Sequence, residues 1–253
     1  LPPLNGATDA LSPIAQITQL PRALEFDIGS DPPPLLHYTS LFVDRQQRPP
    51  VDFPWHRLDG RPLIYASLGT LQNFSDAIFK TIAAACTGLN AQLVLSLGGG
   101  LDPAHLPPLP GEPIVVRYAP QLELLKRAAA VITHAGLNTV LESLAEGVPL
   151  VAIPLGNDQP GVAARVVARG AGIVITPSSL RPTRLRAALQ SILHQESYRV
   201  AATAIKDAMQ AIDGKVRAAD IIEDTLKIQI KNREQPDSKT PATSNVINFR
   251  AAS

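Results

Sequence analysis

Cysteine is almost missing from this chain. Cys86 is the only one among 253 residues, so no internal disulfide can form. Its setting, the helical-looking "TIAAACTGL", marks it as a small apolar core residue rather than a reactive thiol. A surplus of one charge is missing too, since 23 Lys and Arg against 22 Asp and Glu leave a formal net charge of +1. A nucleic-acid binder concentrates basic residues on one face, so that class is set aside. No apolar run reaches the ~18 residues of a membrane span, and no charged-then-apolar signal segment opens the chain. The expectation is a soluble, cytoplasmic protein with no nucleic-acid partner. Methionine is equally scarce. The chain begins at Leu1 and its one methionine is Met209, which reads as a trimmed chain or a piece of a longer one.

Several catalytic signatures are also absent. There is no G-x-x-x-x-G-K-[ST], which excludes a P-loop. "GGGLDP" is not G-x-G-x-x-G, and no acidic residue follows it at dinucleotide spacing. No G-x-S-x-G elbow serves a hydrolase. His37, His56, His105, His134 and His194 are scattered without zinc-ligand spacing. No Asp-x-Asp pair stands ready to hold a metal against a diphosphate. The residues predict no metal site and no cofactor.

What is present changes in texture along the chain. Residues 1 to about 60 are rich in proline, as in "DPPPLL" and "QRPPVDFPW". Proline removes a backbone donor and pushes its predecessor toward extended geometry. Only "LSPIAQITQL" and "PLLHYTSLFV" are expected there, as short ordered pieces. From Pro62 onward, apolar strand-like runs ("PLIYASLGT", "AQLVLSLGGG", "EPIVVRYAPQ", "AVITHAG", "VPLVAIPLG", "AGIVITP") alternate with helical runs. The helices are "SDAIFKTIAAACTGL" with Ser75 as N-cap, "LELLKRAA", "NTVLESLAEG" and "QPGVAARVVARG". Short apolar strands separated by helices of about ten residues or more fold as parallel β-α-β units covered on both faces. The fold class is therefore α/β, a doubly wound, Rossmann-like parallel sheet. After Ser178 three helices follow, and the last twenty or so residues are polar and without period.

Polar and small residues gather at the strand ends: Ser67-Leu68-Gly69-Thr70, Gly98-Gly99-Gly100, Tyr118-Ala119-Pro120-Gln121, Thr133-His134-Ala135-Gly136 and Gly156-Asn157-Asp158-Gln159. In an open parallel sheet, ligands bind outside the carboxyl ends of the strands. His134 and Gly136 lie where a strand passes into the helix starting near Leu137. The unpartnered first amides of that helix suit an anion such as a diphosphate. Asn138 and Glu142 are four apart on one helical face, placing a carboxylate where it can accept the hydroxyls of a ribose. Asp158 and Gln159 offer donors and acceptors to a sugar.

The segment "THAGLNTVLESLAEGVPLVAIPLGNDQPGVAARVVARGAG" resembles the signature of family 1 glycosyltransferases, nucleotide-sugar-dependent enzymes of the GT-B fold. Their bacterial branch includes macrolide and zeaxanthin glycosyltransferases. "YASLGT" and "VVRYAPQLELL" resemble the family's first donor-domain strand with its phosphate loop and its base-binding segment. The resemblance implies that Tyr118 stacks on the base in place of the usual tryptophan, that Ala119 pairs it through the backbone, and that Gln121 lies near the ribose. It implies Glu142 on the ribose hydroxyls, and Ser67, Gly69, Thr70, His134, Gly136, Asn138 and Thr139 around the diphosphate. Asp158 and Gln159 would hold the sugar. Gly161 stands where many relatives have asparagine.

By the same resemblance, residues 1–45 are the exit of an acceptor domain and 46–61 a proline-rich linker. Residues 62–231 form the donor-binding domain, and the polar, aperiodic composition of 232–253 reads as a disordered tail. The donor is a UDP- or TDP-sugar and the acceptor small and hydrophobic. The catalytic base, usually a histidine, belongs to an N-terminal acceptor domain of the family, so this chain alone is expected to be inactive. Two alternatives stand beside that reading. One is a nucleotide-sugar binding module, or a half-enzyme whose acceptor domain is supplied in cis or in trans. The other is a sugar-nucleotide epimerase of similar architecture.

Overall fold

In the computed structural model, which describes residues 11–27, 29, 33–43, 48–70 and 76–234, the alternation read from the sequence becomes a single parallel sheet with helices on both faces. After two short strands, β1 (Gln16–Thr18) and β2 (Leu36–Tyr38), the chain forms β3 (Leu63–Ser67), α1 (Asp76–Cys86), β4 (Gln92–Ser96), β5 (Ile114–Val116), α2 (Gln121–Leu125) and β6 (Ala128–Thr133). It continues through α3 (Leu137–Ala145), β7 (Leu150–Ala152), α4 (Gln159–Ala168) and β8 (Gly172–Val174). Three helices close the described chain: α5 (Pro182–His194), α6 (Glu196–Gln210) and α7 (Gly214–Glu234). The sheet order is β5-β4-β3-β6-β7-β8, and every neighbouring pair is parallel.

The two-residue period of a strand sorts side chains between two cores. Leu63 and Tyr65 of β3, with Val131 of β6 and Leu150 of β7, join the core that includes Val140 and Leu144 of α3 and Ile205 of α6. Ile64 and Ala66, with Ala130, Ile132 and Val151, face the other core, built on Phe79 and Ile82 of α1 and Leu185 and Leu189 of α5. Cys86 lies in that second core, where burial pushes its thiol up to about 12, as befits an inert side chain.

One expected boundary moves. The sequence run "LELLKRAA" suggests a helix of eight residues, but the helix is Gln121–Leu125 and Ala128 already begins β6. Alanine favours helix, yet Ala128 pairs with Leu63 of β3, and pairing overrides propensity. At the other end, α7 runs to Glu234, three residues into the expected disordered tail. The rest of that tail, 235–253, and the Ser75 N-cap lie outside the described residues.

The described part of the N-terminal stretch packs on the α3–α4 side. Leu20 and Leu24 enter the first core. Buried Glu25 accepts hydrogen bonds from Arg165 Nε and Nη2 at 2.8 and 3.2 Å and from the Tyr38 hydroxyl at 3.1 Å. Burial alone would raise the Glu25 pKa, but the hydrogen bonds from Arg165, Phe26 N and Tyr38 outweigh it and hold the carboxyl below its usual range. Among the described residues, no helix is long and apolar enough to cross a membrane.

The strand order reverses between β3 and β6: β4 and β5 extend the sheet to one side of β3, and β6, β7 and β8 extend it to the other. Loops leaving β3 and β6 must therefore diverge, opening a crevice at their carboxyl ends.

Candidate functional site

A cavity of about 440 Å³ occupies that crevice. Its rim begins with a repeated triplet, Ser67-Leu68-Gly69 at the end of β3 and Ser96-Leu97-Gly98 at the end of β4. Ser67 and Ser96 are direct partners across the two strands, so both hydroxyls face the cavity at one level. Gly69 and Gly98 take positive φ of 79° and 68°, a turn that side-chain-bearing residues rarely adopt.

Tyr65 lies beneath these serines. It is fully buried, and its hydroxyl donates to Gln121 Oε1 at 3.0 Å. Burial pushes its phenol up to about 12, with hydrogen bonds from Ser96 and Ser67 acting the other way. Gln121 passes the network on, donating from Nε2 to Glu142 Oε2 at 2.6 Å. Glu142, on the second turn of α3, is buried, and its carboxylate is paired with the guanidinium of Arg48. Arg48 comes from the proline-rich stretch, 94 residues away in sequence.

His134 sits between two glycines. A Cβ at Gly69 would lie 2.8 Å from the imidazole, and one at Gly136 would lie 2.6 Å from Nε2. Two missing side chains thus create the slot that holds the ring. Its Nδ1 is 3.4 Å from Thr133 Oγ1, which also accepts from Ala135 N at 3.2 Å. Burial lowers the His134 pKa from 6.5, with the Asp158 carboxylate partly opposing. His134 is therefore a neutral imidazole at neutral pH, able to donate one hydrogen bond but carrying no charge.

Because the fold disfavours the charged form of His134, the unfolded chain binds more protons below pH 6.5. The stability that this group contributes above 6.5 is lost as pH falls from there through the lowered folded-state value. We expect the urea midpoint of the protein to fall between pH 7.5 and 5, and His134→Asn to flatten part of that slope. Identical slopes for the two proteins would remove His134 as the cause.

The residues after His134 turn into α3 through a strained position. Ala135 is fully buried with φ of 66°, a left-handed conformation costly for any residue but glycine, and such strain concentrates at functional sites. Gly136, which has no side chain, caps α3, and among the described residues no side chain is bonded to the first-turn amides at the cavity wall. Asn138 accepts from Gln19 Nε2 at 2.8 Å, so the N-terminal stretch reaches the cavity edge too. Thr139 is buried beside it.

Tyr118 is 48% exposed at the mouth, and its hydroxyl passes Gly99 so closely that a Cβ there would lie 2.9 Å away. A half-exposed ring beside a cavity suits stacking against a flat ligand. On the far loop, Gln159 is buried, and its Oε1 accepts from Leu155 N at 2.7 Å and Gly156 N at 2.9 Å, holding the loop's shape. Asn157 takes φ of 55°, and Asp158 is exposed at the start of α4.

Of the residues singled out in the sequence, Ser67, Gly69, Thr70, Tyr118, Ala119, Gln121, His134, Gly136, Asn138, Thr139 and Gln159 line the cavity. Glu142 stands behind Arg48 and Gln121, and Asp158 lies off the lining. Sequence reasoning missed Arg48, Tyr65 and Ser96. The repeated S-L-G triplet could have found Ser96. Tyr65 looks like any buried strand residue, and nothing local distinguishes Arg48. Among the described residues, no group of three or more His, Cys, Asp or Glu is placed to hold a metal ion.

Residues 59–209 match the family model described as UDP-glucoronosyl and UDP-glucosyl transferase. The zeaxanthin glucosyltransferase of Pseudescherichia vulneris is 36% identical over 228 residues, covering 89% of this chain and 54% of the relative. The uncharacterized UDP-glucosyltransferase YojK of Bacillus subtilis (strain 168) is 36% identical over 176 residues, covering 70% of this chain and 44% of that protein. In three dimensions the chain is similar to the glycotransferase of kitacinnamycin, with a TM-score of 0.75 at 27% identity, covering 87% of this chain and 57% of that one. The chain thus spans about half the length of the curated relatives it matches.

Proposed function

We propose, for a chain that belongs to the UDP-glucoronosyl and UDP-glucosyl transferase family, that its cavity binds a uridine or thymidine diphosphate sugar for transfer of the sugar to an acceptor hydroxyl. The observation that carries this reading is the α3 N-terminus, capped by a glycine that offers no side chain, opening into the same cavity as the exposed Tyr118 ring. The helix amides suit the diphosphate, the ring suits the base, and Glu142 beneath suits the ribose hydroxyls. The sugar is taken as glucose and the acceptor as a small hydrophobic alcohol, in a cytoplasmic enzyme.

In this reading the sugar is transferred with inversion. The acceptor oxygen forms its bond to the anomeric carbon as the bond from that carbon to the diphosphate oxygen breaks. A general base takes the acceptor proton, and the electron pair leaves on the diphosphate. The first amides of α3 and the neutral His134 N–H stabilise the charge that develops there. In this reading the base is supplied by an acceptor domain, in cis or in trans, so the chain by itself binds the donor without transferring it.

Calorimetric titration of the purified chain with UDP and TDP, with and without a chelator, tests the binding. Incubation with UDP-glucose and a panel of alcohols, read by mass spectrometry, tests transfer. We expect chelator-insensitive binding and no glycoside. Loss of binding in the chelator would sink the metal-free site, and glycoside formation by this chain alone would sink the divided-enzyme reading. A chain that bound neither nucleotide would overturn the proposal as a whole.

A further inference from the structure

Resting on that nucleotide reading, we propose that Arg48 is the residue by which the site distinguishes a nucleoside diphosphate from a bare nucleoside. Its guanidinium straddles Glu142, with Nη2 paired closely to Oε1 and Nη1 3.4 Å from Oε2. Gln121 Nε2 donates to Oε2 as well. An ionised carboxylate offers about four acceptor positions, and these contacts take up most of them. A ribose brings two hydroxyls, more than the carboxylate can add. The loosest contact, from Nη1, must yield first.

The released N–H groups then need an anion. Among the described residues lining the cavity, Arg48 is the only Lys or Arg, and the neighbouring imidazole is neutral. A nucleoside diphosphate brings its own counter-charge for the displaced guanidinium, and a charge-assisted contact to phosphate replaces the one given up. A bare nucleoside leaves the freed arm with nothing but water. Arg48 therefore opposes the nucleoside and favours its diphosphate from one position, and it is suited to this because its side chain is 45% exposed while that of Glu142 is 2% exposed. The carboxylate is fixed and the guanidinium can turn.

The test compares uridine and UDP on the full chain and on Arg48→Ala and Arg48→Lys, by calorimetry at low and high salt. Arg48→Ala is expected to bind UDP roughly tenfold more weakly and uridine at least as tightly as the unsubstituted chain. Its UDP affinity should also depend less on salt. Arg48→Lys keeps the charge without the fork and should fall between. Trp55, the only tryptophan in the chain, lines a hollow together with Arg48, so its emission reports the movement. It should change on UDP binding in the unsubstituted chain and less in Arg48→Ala. Equal weakening of uridine and UDP would overturn the proposal and leave Arg48 as a support for Glu142, and unchanged UDP binding would overturn it too. If Arg48→Ala fails to fold by circular dichroism, the Arg48→Lys comparison decides by the same ratio. If the unsubstituted chain binds neither ligand, the nucleotide reading falls and this inference with it. If it binds UDP and the ratio does not move, only this inference falls.

Discussion

Gly136→Ala is expected to weaken UDP binding by about tenfold or more, roughly 1.4 kcal/mol, in a protein that still folds. The residue's φ of −60° is one that alanine adopts without strain, so the backbone has no reason to object. The new methyl group has nowhere to go, because it would lie 2.6 Å from His134 Nε2 and 2.7 Å from Cε1. The imidazole must leave its slot, and the opposite wall of that slot is Gly69, where a Cβ would also stand 2.8 Å from the ring. The ring is therefore pushed out of register with the α3 amides, and the donor that would face the diphosphate is misdirected. Calorimetry with UDP measures the loss, and far-UV circular dichroism shows that the fold survives. A double-mutant cycle isolates the cause. In a His134→Ala background the methyl meets no ring, so Gly136→Ala should there cost little more. An affinity within twofold of the unsubstituted chain would show that the position of His134 does not matter for the ligand. Gly69→Ala is less clean, since its φ of 79° adds backbone strain to the same collision.

Glu142→Ala is expected to lower UDP affinity ten- to a hundredfold, the loss of a charge-assisted hydrogen bond of about 1.5–3 kcal/mol. The effect should be far smaller for the free base uracil, which has no ribose for the carboxylate to hold. The carboxylate is buried, accepts from Gln121 at 2.6 Å and is paired with Arg48, so it is already oriented before any ligand arrives. Removing it leaves Gln121 Nε2 without that acceptor and frees the partly exposed Arg48 to solvent. Some loss of stability therefore accompanies the loss of affinity. Glu142→Gln separates the two effects, because it keeps the volume and one acceptor oxygen while removing the charge. If UDP and uracil weaken by the same factor in Glu142→Ala, the carboxylate supports the site without touching the ribose.

Much of this architecture is local information. The apolar runs from "LIYAS" to "GIV" and the helices between them are written in stretches of five to fifteen residues. Each stretch carries its own period, and burial on both faces follows from runs with no polar interruption. The clustering of Ser, Gly, His and Tyr at strand ends is also local, because a strand's carboxyl end is a sequence position before it is a place in space. That made the α/β class, the parallel sheet and the cavity rim accessible without coordinates. The short α2 was not, since "LLKRAA" favours helix by itself and only pairing with β3 makes its last residues a strand.

What the tertiary structure decided was which groups meet across long stretches of chain. Arg48 reaches Glu142 across 94 residues, and Tyr65 reaches Gln121 across 56. Gln19 reaches Asn138 across 119. None of these pairs has a spacing that a helix or strand period could reveal. The same holds for charge. The sequence allows His134 to be a cation, but its burial between Gly69 and Gly136 makes it a neutral donor and leaves Arg48 as the positive group among the described residues lining the cavity. Periodicity assigns a residue to an element and a face. Its protonation and its partners depend on the dielectric and the neighbours that the folded chain brings to it, and those exist only once the β3–β6 crevice has formed.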